Sequence, residues 1–154
     1  MNNKEWFYEE YGTINSLVDI SSINSKAIGF TYVIEFIDGT KYVGKKNLYS
    51  KQKLKILKSG EKRKGHQCFI QKNTGNSNRD IYEIIKKESN WLQYKGSHID
   101  CKNKKVLKKY IIDFATSKLE LTYLEAKLQF NLDVLRDKTY INDNILGKFY
   151  KSNL

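Results

Sequence analysis

The spacing of apolar and polar residues predicts a hairpin, a further strand and a long helix. Residues 30–36 alternate and are rich in β-branched and aromatic side chains, which is typical of a half-buried strand. Asp38-Gly39 favours a tight turn because both residues tolerate a positive φ, so residues 41–44 are expected to return as a second strand. Residues 110–115 alternate in the same way and predict a third strand.

The helix is predicted to begin after Ser117 and to run to about residue 135. Ser117 and Glu120 have the spacing of a capping box. An apolar stripe follows at helical spacing, formed by Leu121, Leu124, Leu128, Leu132 and Leu135. Glu125 lies about 60° from the centre of this stripe, so its carboxylate is expected at the edge of the packed face.

The remaining segments predict less regular structure. Residues 1–28 indicate a short helix or arm followed by a loop, and residues 46–76 a basic loop or short helix. Helical spacing of isoleucines predicts a helix from 79 to about 88. The expected fold is α/β (α+β), a small mixed three-stranded sheet flanked by helices. An N-terminal arm at 1–28 would precede one domain at 29–150, with a basic insertion at about 46–90.

Composition limits the class of protein. The chain has 154 residues, of which 40% are hydrophobic, enough for one core. No stretch approaches the roughly 20 apolar residues of a membrane-spanning helix, and the N-terminus lacks the basic and then apolar run of a signal peptide. These features predict a soluble, cytoplasmic protein that does not associate with membranes. Cys68 and Cys101 are expected to be reduced thiols.

The charge is strongly uneven. There are 28 Lys and Arg against 17 Asp and Glu, a formal net charge of +11. Most of the excess falls between residues 41 and 72, where Glu61 is the only acid. The basic residues of this segment are Lys41, Lys45, Lys46, Lys51, Lys53, Lys55, Lys58, Lys62, Arg63, Lys64 and Lys72. Such a run can be a solvated face, but its density and its aromatic neighbours favour a polyanion, because neutralising phosphates releases counterions. An anionic membrane surface fits less well, since the run lacks a clean apolar face.

Glu125 has two interpretations. A carboxylate at the border of a core, in a protein that attracts phosphate, is suited to hold one divalent cation. The alternative is a salt bridge on the same helix to Lys127 or Lys118.

The motifs together resemble those of GIY-YIG nucleases. Phe30-Thr31-Tyr32 stands in place of the family's first motif, and Tyr42-Val43-Gly44 is close to its second. The helix that contains Glu125 resembles the one that bears the family's metal-binding glutamate. Residues 91–97 and 140–144 resemble segments of stand-alone phage-type members related to homing endonucleases. The resemblance covers residues 29 to about 144 in the expected order.

This resemblance implies a GIY-YIG-like fold and a metal-dependent DNA endonuclease that hydrolyses phosphodiester bonds, by a nick or a double-strand break. If phage-encoded, it would act in the host cell cytoplasm. Tyr32 and Tyr42 would project into one site, where a tyrosine hydroxyl polarises or deprotonates the attacking water. Glu125 would hold Mg²⁺ or Mn²⁺. Asn142, or else Asn144, would bind phosphate or position the end of the sheet.

The positive charges of the expected site depart from the family pattern. The family has an arginine about ten residues beyond the second tyrosine, where this chain has lysines. The resemblance favours Lys46 or Lys53 in this role, with Arg63 or Arg79 as alternatives. Lys45 or Lys46 would also have to lower the pKa of a tyrosine that acts as base.

The expected contacts to double-stranded DNA lie mostly in the insertion and just after it. They are Lys45, Lys51, Lys55, Lys58, Lys62, Arg63, Lys64, Arg79, Trp91, Tyr94, Lys95 and Ser97. His98, beside Ser97, could bind phosphate or shuttle a proton.

Three further expectations remain open. The protein could be a non-catalytic nucleic-acid-binding descendant of such a nuclease, or it could cut RNA. Two His and Cys pairs, His66 with Cys68 and His98 with Cys101, could supply four ligands to a structural zinc, although their spacing is not that of a standard finger. The oligomeric state could be monomer or dimer.

Overall fold

A computed structural model describes residues 5–55, 68–72 and 81–154, with side chains described for residues 5–52 and 86–154. The chain divides into two compact units. We call Met1–Leu48 with Asn90–Leu154 the core unit, and Tyr49–Ser89 the insert unit. In chain order the elements are β1 (Trp6–Tyr8), β2 (Gly12–Ile14), α1 (Leu17–Ile23), β3 (Gly29–Phe36), β4 (Lys41–Asn47), β5 (Tyr49–Lys55), β6 (Cys68–Lys72), β7 (Ile81–Glu88), β8 (Val106–Ala115), α2 (Lys118–Asn131), β9 (Asn144–Ile145) and β10 (Phe149–Tyr150).

The core unit contains a mixed five-stranded sheet in the order β2-β1-β8-β3-β4. Strand β1 pairs in parallel with β8, and the other neighbours are antiparallel. The predicted α+β class and the predicted β3, β4 and β8 are confirmed. The expected three-stranded sheet is wrong, because β1 and β2 extend the sheet at the outer edge of β8.

The N-terminal segment is part of this sheet and not a separate arm. Trp6 is fully buried, and its indole N–H donates to the backbone oxygen of Trp91 at 2.9 Å. The Ser- and Asn-rich stretch that suggested a loop contains the N-cap of α1. Ser16 accepts a hydrogen bond from the Asp19 amide, and Asp19 accepts from the Ser16 amide, which closes a capping box.

The insert unit is a three-stranded antiparallel sheet in the order β5-β7-β6. The expected loop over 46–76 and the expected helix over 79–88 are therefore wrong for the described residues. Ile81, Ile84 and Ile85 fit helical spacing, yet isoleucine is β-branched and favours a strand when partners lie on both sides. Strand β7 has such partners, since it lies between β5 and β6.

Helix α2 begins as predicted and ends earlier. Ser117 accepts from the Glu120 amide at 3.1 Å, whereas the Glu120 carboxylate accepts from Thr116 and not from the cap residue. The helix ends at Asn131, because Asp133 has a positive φ of 50° that no helix accommodates. Leu135 lies beyond the helix and is nevertheless buried.

The sheet has an apolar cluster on the side of α2 and an aromatic cluster on the other. The first cluster consists of Val43, Val134, Leu135, Tyr140 and Ile145, with Ala126 and Leu128 of α2 packed against it. The aromatic cluster contains Trp6, Phe30, Tyr32 and Trp91, with ring centroids 4.9 Å apart for Trp6 and Phe30 and 6.1 Å for Phe30 and Trp91. Trp91 is fully buried here, so the expectation that it contacts DNA is wrong.

Among the described residues, no helix has the length and apolarity needed to cross a membrane.

Candidate active site

The outer edge of β4 borders an open cavity of about 290 Å³ in the core unit. Two polar faces meet there, one from the sheet and one from α2, together with the loop that leads into β9. The lining residues are Tyr42, Lys45, His98, Glu125, Gln129, Asn142, Asp143, Asn144 and Leu146. The sequence singled out six of these residues, and the fold brings them together: Tyr42, Lys45, His98, Glu125, Asn142 and Asn144.

A backbone segment attaches to the edge of β4 and fixes one wall of the cavity. The Lys41 amide donates to Thr139 O at 2.8 Å, and the Ile141 amide donates to Lys41 O at 2.9 Å. Asn142 continues this pairing with its side chain, because its Oδ1 accepts from the Val43 amide at 3.0 Å and its Nδ2 donates to Val43 O at 2.7 Å. Its amide is only 3% exposed. Asn142 was expected either to bind phosphate or to position the end of the sheet. Its observed contacts correspond to the second role.

Tyr42 is half-buried, and its hydroxyl lies 2.7 Å from Ser97 Oγ. Burial raises the pKa of Tyr42 to about 12, the Ser97 hydrogen bond lowers it, and the Glu125 charge contributes to raising it. The lowering of the Tyr42 pKa expected from Lys45 or Lys46 does not offset the effect of burial. Tyr42 is therefore protonated at neutral pH in this state.

Tyr32 does not share the cavity. It lies on the same face of the sheet as Tyr42, with ring centroids 6.2 Å apart, but it is fully buried. Burial and a hydrogen bond with Tyr94 hold the pKa of Tyr32 well above its ordinary value. The expectation that both tyrosines project into one site is wrong for Tyr32, because the aromatic cluster encloses it.

Gly44 is required by the position of Tyr32. The two residues are directly opposed on β3 and β4, and a Cβ added to Gly44 would lie 2.5 Å from the Tyr32 hydroxyl oxygen. Any side chain at residue 44 would therefore displace the buried ring. The tyrosine of the first motif and the glycine of the second thus form one packing unit.

Glu125 faces the cavity from α2, on the same side of the helix as Thr122 and Gln129. Its side chain is 19% exposed and lies 3.7 Å from Lys45 Nζ. Burial raises the pKa of Glu125, and the Lys45 ammonium opposes this shift. The ion pair thus crosses to β4, and the expected intrahelical partners Lys127 and Lys118 are not the ones used.

His98 contacts two acidic residues, Asp100 in the short 3₁₀ helix that His98 caps and Asp143 in the loop before β9. Its Nε2 lies 2.6 Å from Asp143 Oδ2, and its Nδ1 accepts from the Asp100 amide at 3.1 Å. Because Nδ1 accepts, the proton of the neutral ring is on Nε2 and is donated to Asp143. Its ring centroid lies 6.2 Å from that of Tyr42.

Two polar cavity residues were missed by sequence analysis, and so was the apolar Leu146. Asp143 lies 45 positions from His98 along the chain, so no local pattern reports their contact. Gln129 is buried and occurs one helical turn after Glu125, which was the only signal available for it.

The lysines proposed to replace the expected arginine differ in position. Lys46 lies outside the cavity, with its Nζ donating to Asn90 Oδ1 at 2.7 Å and lying 4.1 Å from the Tyr94 ring centroid. Burial lowers the pKa of Lys46. Lys53 belongs to β5, and its side chain is outside the described set. The lysine that lines the cavity is Lys45.

The other expected DNA contacts are spread over both units. In the core unit, Ser97 is exposed and bonded to Tyr42, Tyr94 is partly buried, and Lys95 donates to Lys102 O at 3.0 Å. In the insert unit, Lys51 is exposed and Lys55 is described by its backbone alone. Lys58, Lys62, Arg63, Lys64 and Arg79 lie outside the described residues.

The cavity residues fit a hard divalent cation. Mg²⁺ prefers oxygen ligands and is usually held by one or two carboxylates, with waters and substrate phosphate completing its shell. Glu125 supplies a carboxylate, and Gln129, Asp143 and Asn144 add further oxygens to the same cavity. No cluster of three His, Cys, Asp or Glu suited to a metal occurs among the described residues.

The zinc expectation stays a prediction. Cys101 is buried with a free thiol, and burial raises its pKa. His66 and the Cys68 side chain lie outside the described set.

Comparison with known proteins identifies the family. Residues 6–153 match a family described as "Putative endonuclease segE, GIY-YIG domain". A search of curated proteins and a search of solved structures gave no match. The family match includes β1, which the motif-based resemblance had left outside the domain. Since it covers nearly the whole chain, the protein belongs to the GIY-YIG nuclease family, in the segE group.

Proposed function

We propose that this protein is a divalent-metal-dependent endonuclease that hydrolyses phosphodiester bonds of double-stranded DNA, of the type related to homing endonucleases. The observation that supports it is the meeting of Tyr42, Lys45 and Glu125 in one open, polar cavity of a GIY-YIG domain. These groups correspond to the needs of the reaction, which are an oriented water and relief of negative charge on the phosphate.

Tyr42 is the proposed water-orienting group. Tyr42 lines the cavity and its hydroxyl is held by Ser97, so the group is fixed in position before substrate enters. With a pKa of about 12 it keeps its proton at neutral pH, and in the free protein it can orient a water by hydrogen bonding but is a poor base.

Glu125 is the proposed metal ligand. When bound, Mg²⁺ or Mn²⁺ would offset phosphate charge and neutralise a carboxylate that contributes to raising the pKa of Tyr42. Lys45 compensates the buried carboxylate in the metal-free protein. It also offers the cavity a positive charge that can turn towards a phosphate, as a point charge in place of the bidentate fork of an arginine.

His98 and Asp143 are proposed to shape the wall next to Tyr42. Both nitrogens of the neutral His98 ring are engaged, which favours a positioning role over proton shuttling. Asn142 holds the adjoining backbone segment against the edge of β4 through Val43.

The test is conversion of supercoiled plasmid to nicked and linear forms by purified protein. Cleavage with Mg²⁺ or Mn²⁺ that stops on chelation is expected. Salt-sensitive binding of DNA without cleavage of any plasmid, in either metal, would favour a non-catalytic DNA-binding protein. Cleavage confined to an RNA substrate of the same sequence would identify a ribonuclease and overturn the proposal.

A further inference from the structure

The strand register of the insert unit separates its residues into two faces with different chemistry. Directly opposed residues of an antiparallel pair share a face, and neighbours along a strand alternate. The face that we call the lysine face carries the positions of Tyr49, Lys51, Lys53, Lys55, Phe69, Gln71, Tyr82, Ile84, Lys86 and Glu88. The opposite face carries those of Ser50, Gln52, Leu54, Cys68, Ile70, Lys72, Ile81, Glu83, Ile85 and Lys87.

Like charges are paired on the lysine face. Lys51 of β5 lies directly opposite Lys86 of β7, and both side chains are exposed. Two ammonium groups in opposed positions destabilise a sheet. Lys53 and Lys55 extend this row along β5, so the edge strand concentrates positive charge on one side. An arrangement that costs stability in the free protein is stabilised when a polyanion lies over it.

Aromatic residues lie among the lysines on this face. Lys86 Nζ is 4.0 Å from the ring centroid of Tyr49, a cation–π contact that holds the ammonium over β5. By register, Phe69 and Tyr82 belong to the same face. On the opposite face each of the three strands contributes an aliphatic residue, namely Leu54, Ile70 and Ile85.

The dimensions of this sheet match the major groove of B-DNA. Strand β5 has seven residues, so at about 3.4 Å per residue it is roughly 23 Å long. Three strands about 4.8 Å apart span roughly 10 Å between the outer backbones, against a groove about 12 Å wide. At about 3.4 Å per base pair, β5 could follow some six or seven base pairs.

We propose that the lysine face of the insert unit is the surface that docks on duplex DNA, in the major groove. The inference rests on the proposed function and adds to it a recognition surface separate from the phosphodiester-cutting cavity. Lys51, on the edge strand β5, and Lys86, whose ammonium lies over the Tyr49 ring of that strand, contact phosphates at the groove rim.

Adjacent lysines provide a matched test. Lys86 and Lys87 are both exposed and lie on opposite faces of β7, so Lys86→Gln and Lys87→Gln remove the same charge from the same strand. Affinity for a duplex is measured over a salt series with chelator present, so that no cleavage occurs. Each lost phosphate contact should reduce the slope of log K against log salt by about 0.9. We expect this reduction for Lys86→Gln and for Lys51→Gln, none for Lys87→Gln, and recovery in Lys86→Arg.

The groove is assigned by methylation protection. The wild type should protect guanine N7, which lies in the major groove, and Lys51→Gln with Lys86→Gln should lose that protection. Equal slope changes for Lys86→Gln and Lys87→Gln, or protection of adenine N3 alone, would overturn the inference. The plasmid assay does not use these variants. If wild type cuts plasmid but the binding results are those that overturn this inference, the proposed nuclease activity still holds. If wild type neither binds nor cuts DNA, the docking surface and the nuclease activity are both refuted.

Discussion

The ammonium of Lys45 lies 3.7 Å from the carboxylate of Glu125 and donates a hydrogen bond to Thr122 Oγ1 at 2.8 Å. One lysine thus connects strand β4 to helix α2 across the cavity. Two effects act on Glu125 in opposite directions, since burial disfavours its charged form and Lys45 favours it, and burial is the larger.

Lys45→Gln should therefore raise the pKa of Glu125 further above its ordinary value. Without the ammonium, burial acts unopposed by its nearest positive charge. The measurement is an NMR titration of the Glu125 side-chain carboxyl in the metal-free protein. Lys127→Gln is the control, because Lys127 is exposed on the same helix and should leave the titration unchanged. A Glu125 titration that moves to lower pH in Lys45→Gln would contradict the ion pair.

The two motif tyrosines should respond differently to loss of the hydroxyl. Tyr42→Phe should reduce the rate of DNA cleavage by about 10²–10³-fold, the range for loss of one positioned hydrogen-bonding group at a reacting centre. Tyr32→Phe keeps the buried ring and loses the hydrogen bond with Tyr94, so it should cost about 1 kcal/mol of unfolding free energy and change the rate only a few-fold. Single-turnover rates and chemical denaturation of both variants provide the comparison. Equal losses of rate would place Tyr32 in the reaction and refute its exclusion from the cavity.

Asn142→Asp should destabilise the fold. The carboxylate can still accept from the Val43 amide, but its second oxygen would face Val43 O where the wild type donates a hydrogen bond. The expected loss is about 1–3 kcal/mol of unfolding free energy. Asn144→Asp is the matched control, because Asn144 accepts from the Gly147 amide with an oxygen that aspartate retains. If Asn142→Asp unfolds like wild type and loses only cleavage, the residue acts on substrate and not on the sheet edge.

The buried Lys109 should make the free energy of unfolding rise with pH in the alkaline range. It is 1% exposed, and its Nζ donates to Leu92 O and Tyr94 O at 2.7 and 3.3 Å. Burial lowers its pKa to about 8 from 10.5. Between these values the unfolded chain binds the proton and the folded chain does not, so the free energy of unfolding should rise with pH, by at most about 1.4 kcal/mol per pH unit.

The check on Lys109 is a set of denaturation curves between pH 8 and 10.5. Lys109→Met should remove this part of the pH dependence, whereas Lys108→Met, at an exposed neighbouring position, should retain it. The opposite result would be a free energy of unfolding that falls with pH in wild type and in Lys108→Met and is constant in Lys109→Met. It would mean that folding raises the pKa of Lys109 instead of lowering it.

Local patterns predicted the elements whose signals lie within a few residues. The β3–β4 hairpin follows from alternation and the Asp38-Gly39 turn, and Ser117 marks the start of α2. The position of Glu125 at the edge of the packed face also follows from helical spacing. Each of these depends on contacts between near neighbours, which a sequence shows directly.

The errors concern contacts between distant residues. Strand β1 joins the sheet because Trp6 is buried against Phe30 and bonded to Trp91, which no local pattern reports. The isoleucines of β7 are compatible with a helix and with a strand. The segment forms a strand because it pairs with β5 on one side and β6 on the other. The burial of Tyr32 and the contact of His98 with Asp143 likewise depend on packing between separate parts of the chain.

The central claim is that Glu125 carries the metal-dependent chemistry, and Glu125→Gln tests it most directly. Because the folded-state pKa of Glu125 is raised, wild type loses stability as pH rises through that pKa, and Glu125→Gln should be at least as stable as wild type at neutral pH. Glu120→Gln is the control, since Glu120 is exposed on α2 and bonds Thr116.

The measurement is the single-turnover rate of plasmid cleavage as a function of Mg²⁺ concentration for wild type, Glu125→Gln and Glu120→Gln. We expect Glu125→Gln to remain folded and to lose at least about 10²-fold in rate at every metal concentration, while Glu120→Gln cuts at the wild-type rate. Cleavage by Glu125→Gln that matches wild type, with the same dependence on Mg²⁺, would contradict the assignment of this site.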